Sequence, residues 1–71
     1  MRRIRVIIDK DKGSAVINIL GFYGEKRAEI IKLLEKYDIA LRFESEISIE
    51  DAERAVKILK RQGFEVEVIE A

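Results

Sequence analysis

Residues 48–70 read SIEDAERAVKILKRQGFEVEVIE, and this stretch decides the fold class. Ser48 and Asp51 form the S-x-x-D pattern of a capping box, in which a hydroxyl at the N-cap accepts from an otherwise unpaired main-chain N–H. Glu50, Asp51 and Glu53 follow at the positive end of the helix dipole, and Lys57, Lys60 and Arg61 stand at its negative end. Each placement contributes roughly a few tenths of a kcal/mol. Gly63 stands where a left-handed residue closes a helix, and Leu59 with Phe64 supplies the apolar contact that accompanies such a cap, so the helix ends near Gln62. Phe64, Val66 and Val68 then alternate with Glu65 and Glu67, which predicts a strand over 64–70 with one face toward a core.

Moving toward the N-terminus, Ile39, Leu41, Phe43, Ser45 and Ile47 share one parity while Ala40, Arg42, Glu44 and Glu46 share the other. This is the alternation of a half-wet strand. Ahead of it Ala28, Ile30, Ile31, Leu33, Leu34 and Tyr37 recur at helical spacing among charged residues, which predicts a helix over about 25–37. Ala15-Val16-Ile17-Asn18-Ile19-Leu20 is a β-branched run, separated from the alternating segment 2–9 by Asp9-Lys10-Asp11-Lys12-Gly13. Those segments form a hairpin with a polar turn.

The order is therefore β-β-α-β-α-β over a single domain, residues 1–71. Each strand-helix-strand step favours a right-handed crossover between parallel strands. The expected class is α+β: a two-layer α/β sandwich with a mixed four-stranded sheet and both helices on one face. The open face would carry Arg3, Arg5, Arg42, Glu44, Glu46, Glu65 and Glu67. The expected core is Ile4, Val6, Ile8, Ile17, Ile19, Ile31, Leu34, Leu41, Phe43, Ala52, Val56, Leu59, Phe64 and Val66. Strand order does not follow from the alternation.

Composition narrows the chemistry. The chain is 48% apolar and 39% charged, a folding composition, and its 14 basic and 14 acidic residues cancel, leaving no global field to draw nucleic acid or an anionic membrane. Charge is nonetheless segregated. Residues 1–13 hold Arg2, Arg3, Arg5, Lys10 and Lys12 against Asp9 and Asp11, whereas 38–53 hold acids and only Arg42. The absence of cysteine and histidine removes disulfides, thiolate metal sites, the commonest zinc ligands and every Ser-His or Cys-His arrangement. No catalytic, cofactor-binding or metal-binding residue set is expected, and Ser14 or Tyr23 as a nucleophile would have no base to activate it. No apolar run approaches the roughly 18 residues of a membrane span, so the expectation is a cytoplasmic protein, a location that loses its meaning if the chain is designed.

Three local clusters invite a functional reading. Asp9-Lys10-Asp11-Lys12-Gly13 alternates acids before a glycine, but the spacing is not that of a calcium loop and a solvated turn explains it. Glu44, Glu46, Glu50, Asp51 and Glu53 offer paired carboxylates, for which exposed ion pairs are the simpler role. Gly21-Phe22-Tyr23-Gly24 brackets two large aromatics with glycines immediately before a helix bearing Lys26 and Arg27. Across residues 3–60 the chain here resembles the K-homology RNA-binding domain, whose Gly-x-x-Gly loop lets the backbone approach phosphates. The resemblance implies a nucleic-acid surface of Gly21, Phe22, Tyr23, Gly24, Lys26 and Arg27. The same residues also read as plain structure, with the glycines supplying turn geometry and Phe22 and Tyr23 covering the edge of the core.

From Ser48 to Ala71, cap, dipole, glycine stop and strand alternation all agree, and proline, cysteine, histidine and tryptophan are missing. In this the chain resembles idealised, computationally designed α/β miniproteins, while its Lys, Glu, Arg and Ile content also suits a thermostable natural domain. The functional expectation is a compact, stable scaffold or small interaction domain without enzymatic activity. The alternative is the nucleic-acid module above. Ile7, Val16 and Leu20 leave the outer face partly apolar, so a homodimer through the open face or an edge strand is a further expectation.

Overall fold

The structure, a computed structural model, describes residues 3–19, 21–39 and 46–70. In chain order the elements are β1 (Ile4–Asp9), β2 (Ser14–Asn18), α1 (Gly24–Glu35), β3 (Ile47–Ser48), α2 (Ile49–Arg61) and β4 (Val66–Glu70). They build a mixed four-stranded sheet in the order β3-β2-β1-β4, accompanied by two helices. Most of the strand expected over 39–47, with its core residues Leu41 and Phe43, lies outside the described residues.

β1 and β2 form the antiparallel hairpin, with Val6 beside Ile17 and Ile8 beside Ala15. The turn is closed by Asp9, whose Oδ1 accepts from the amides of Asp11 and Lys12 at 3.1 and 3.2 Å, and by Gly13, whose N–H donates to the Asp9 carbonyl at φ +70. The left-handed backbone there suits glycine.

β4 returns to lie parallel to β1, pairing Ile4 with Val66 and Val6 with Val68. The step through α1 differs from the expected parallel crossover: β3 is antiparallel to β2, with Ser14 beside Ser48 and Ala15 beside Ile47. Alternation has the same period in either direction, so the sequence pattern carried no information on this point.

α2 forms as its sequence specifies. Ser48 Oγ accepts from the Asp51 amide at 3.1 Å, and at the far end the Gly63 and Phe64 amides donate to the Lys60 and Leu59 carbonyls at 3.0 Å. The paired closing bonds are a Schellman motif, with Gly63 at φ +91. Because the Phe64 amide belongs to that cap, β4 begins at Val66 rather than at 64.

Ala52, Ala55 and Leu59 are the buried stripe of α2, and this helix lies against all four strands. It meets Ile4, Val6, Ile8, Ala15 and Ile17 within one buried cluster, which also holds Ile19, Phe22, Ile30, Leu34 and Ile39. α1 packs against α2. Its inward stripe is Ile30 and Leu34, spaced one turn apart, and the expected Ile31 is the half-buried flank of that stripe. Val56, Phe64 and Val66 likewise sit at the margin of the core rather than inside it.

Candidate functional site

The loop before α1 is divided by the fold. The Phe22 amide donates to the Ile19 carbonyl at 3.0 Å, a tight turn that sends the Phe22 ring inward. There it is 7% exposed and meets Phe64 edge to face, with centroids 6.1 Å apart and planes at 72°. Phe22 is thus a core residue that joins the start of α1 to the end of α2, and its ring is not available to a base.

Tyr23 takes the opposite course. Its backbone is extended, its side chain is 75% exposed, and as N-cap of α1 it gives the helix no side-chain hydrogen bond. Gly24 follows at φ +57, which a side-chain-bearing residue would adopt only with strain. Gly21 and Arg27 are half-buried, and Lys26 is exposed but paired with Glu29 at 3.6 Å. The arrangement offers one aromatic face and the amides of a helix start, while the lysine is already half-neutralised by its neighbour.

The acidic cluster resolves into ion pairs and helix chemistry. Glu46 reaches Lys12 at 3.9 Å, Asp51 holds Arg54 at 3.2 Å, and Glu50 and Asp51 occupy the first turn of α2. Glu44 lies outside the described residues. The acid-glycine segment is the hairpin turn already described, in which one carboxylate oxygen of Asp9 accepts from two amides.

The face of the sheet opposite Val6 carries a charge ladder. Arg3 reaches Glu65 at 3.8 Å and Glu67 at 3.1 Å, and Arg5 reaches Glu67 at 3.8 Å. Beyond it the register sets Val16, Ile7 and Ile69 side by side, each half-buried. Arg42 and Glu44, expected on this face, lie outside the described residues.

A feature that alternation alone did not reveal lies at β4. Ile4 and Val6 of β1 are fully buried on the α2 side of the sheet, yet their lateral neighbours are not: Val66 is half-buried and Val68 is 44% exposed. An open depression of about 420 Å³ runs past the start of this strand, lined by Arg3, Lys60, Phe64, Glu65, Val66 and Glu67. Val66 and Val68 have the expected parity, but it is the strand order that makes β4 an edge among the described residues.

Compared with known protein families, with curated proteins and with solved structures, the chain matches none. Among the described residues no helix is long and apolar enough to cross a membrane.

Proposed function

We propose that the chain is a compact, non-enzymatic scaffold whose working surface is the free margin of β4. The observation that carries this reading is the exposure of Val68 on a sheet face that is dry at its neighbour Val6. An extended segment laid along β4 would cover that valine and take up main-chain groups at the edge, the common mode of strand addition. The agreement of cap, dipole and Schellman closure in α2 supports the scaffold part of the reading, since each local device favours the same folded state.

The test is titration of isotope-labelled protein with a hexapeptide of sequence Arg3–Ile8, the segment that already pairs with β4 inside the fold. Amide shifts concentrated at Val66–Glu70 are expected. Their absence at millimolar peptide, with the spectrum otherwise dispersed, overturns the reading.

A second reading keeps the nucleic-acid surface, reduced to Gly21, Tyr23, Gly24, Lys26 and Arg27. It is favoured by Tyr23, whose exposed ring beside an uncapped helix start is a platform on which a base could stack. Short single-stranded RNA and DNA at low salt should then shift the amides of Gly21–Arg27 in a salt-sensitive way. Unmoved peaks there exclude it.

A further inference from the structure

We propose that β4 pairs antiparallel with β4 of a second copy of this chain, about a two-fold axis that sets Val68 opposite the partner's Val68. The inference rests on the reading of β4 as the working edge and adds the identity and register of its occupant.

The main chain fixes which groups are available. The Ile4 amide donates to the Glu65 carbonyl at 3.0 Å, so β4 turns the polar groups of Glu65, Glu67 and Ile69 toward β1. In a parallel pair these groups alternate sides, which leaves the N–H and C=O of Val66, Val68 and Glu70 pointing along the free edge. Among the described residues no strand lies beyond β4.

Edges in natural sheets are commonly blunted by proline, lysine or a bulge. β4 reads VEVIE and carries no proline or lysine. Its glutamates also lean the other way: Glu65 and Glu67 are held by Arg3 and Arg5, and Glu70 by Lys10 at 3.4 Å, all on or next to β1. The charges that could have guarded the edge are drawn inward.

Register follows from chemistry. Centred on Val68, the two-fold makes Val68 a hydrogen-bonded pair with the partner's Val68 and Val66 a pair with the partner's Glu70, using every outward group in about six main-chain bonds. The exposed valines meet on the α2 side, and on the other side Glu67 faces the partner's Ile69. Centred on Glu67 instead, the axis would press Glu67 against the partner's Glu67, a like-charge opposition that costs stability.

Charge complementarity favours a second copy as the occupant. Lys60 of α2 lines the depression beside Val66 and has no ion-pair partner among the described residues. In this register the partner's Glu70, whose carboxylate reaches its own exposed Lys10 at 3.4 Å in the single chain, stands opposite Val66 on the same side of the sheet, where Lys60 competes for it, and the two-fold repeats the pair. One strand thus supplies both the apolar match and the charge match.

Sedimentation equilibrium tests this on the full chain from micromolar to millimolar concentration. The mass is expected to rise from the 8.2 kDa monomer toward twice that value. Val68→Lys should abolish the rise. Lys60→Glu, at a surface position that leaves the edge intact, should weaken association about tenfold, and adding Glu70→Lys should recover it. A constant monomer mass, or a dimer that both Val68→Lys and Lys60→Glu leave unchanged, overturns the proposal. If the mass stays monomeric while the hexapeptide still shifts Val66–Glu70, only the second copy is excluded and the edge reading stands. If both are silent, both fall.

Discussion

Arg54 of α2 donates from Nη2 to the main-chain oxygen of Tyr37, 2.9 Å away, so the end of α1 is closed by a side chain from the other helix. Through Nη1 the same guanidinium holds Asp51 at 3.2 Å, one turn earlier on α2, which fixes its direction. A cation at a carbonyl terminus offsets the partial negative charge there. Replacing Arg54 by Met keeps the apolar stem and removes both bonds. Because the group is about half exposed, the expected loss in urea denaturation is modest, about 0.5–1 kcal/mol. Hydrogen exchange should locate it, with the amides of Tyr37, Asp38 and Ile39 losing protection before those of α2. Uniform loss across the chain would contradict this local role.

The residue after that contact is strained. Asp38 has φ +62 and its amide donates to Glu35, while the Ile39 amide donates to Leu34, both at 3.0 Å or less. This is the same closure that Gly63 gives α2, made with a residue that pays for a left-handed backbone and carries a negative charge at a negative helix end. Asp38→Gly should therefore raise the midpoint of thermal unfolding, by the equivalent of about 0.5–1 kcal/mol. A lower midpoint would mean that the aspartate side chain contributes a bond worth more than the strain.

The contrast between these two helix ends explains how far the sequence could be read. Ser48, Asp51, Leu59, Gly63 and Phe64 are local signals, and the structure uses each in the place where it was expected. The end of α1 has no such signal: its left-handed residue is an aspartate and its cap comes from Arg54, distant in sequence. Alternation told which residues of β1, β2 and β4 share a face, as Ile4, Val6, Ile8 and Ile17 show. It could not tell the direction of β3 or the position of β4 at the margin, because both depend on pairing between distant segments. For the same reason Gly21-Phe22-Tyr23-Gly24 read as one unit, although Phe22 turns inward to meet Phe64 and Tyr23 stays 75% exposed.

Phe22 and Tyr23 should accordingly respond in opposite ways to truncation. Phe22→Ala removes a buried ring and its edge-to-face partner, an expected loss of about 3 kcal/mol or more. For a chain of this length the total stability is roughly 4–10 kcal/mol, so a large part of it would go. Phe22→Leu, which refills most of the space, should cost about 1 kcal/mol. Tyr23→Ala should lie within about 0.5 kcal/mol of the parent in the same urea titration. Equal effects at the two positions would contradict the inward course of Phe22.

The ladder of Arg3 and Arg5 against Glu65 and Glu67 joins strands from the two ends of the chain, and its main contribution is to register rather than to stability. Arg3, Arg5 and Glu65 are about half exposed or more and Glu67 is 39% exposed, so Glu67→Gln should cost no more than about 0.5 kcal/mol at low salt. At about 1 M salt, where the screening length is near 3 Å, that difference should vanish. Register is different, because a one-residue slip of β4 would turn Glu67 onto the α2 side and Val66 and Val68 onto the open face. Reversing both arginines to glutamate would oppose like charges at every rung of the ladder, and the expected penalty exceeds that of the single neutral variant. Reversing Glu65 and Glu67 to arginine in the same chain rebuilds the ladder with opposite polarity and should restore the parent stability. Cross-strand contacts between β1 and β4 in the double reversal, read by nuclear Overhauser effects, should still place Ile4 beside Val66. If stability does not return, the order of signs along these two strands matters beyond their pairing, and the helix dipole of α2, whose basic end with Lys60 lies beside Glu65, is the nearest asymmetric charge to account for it.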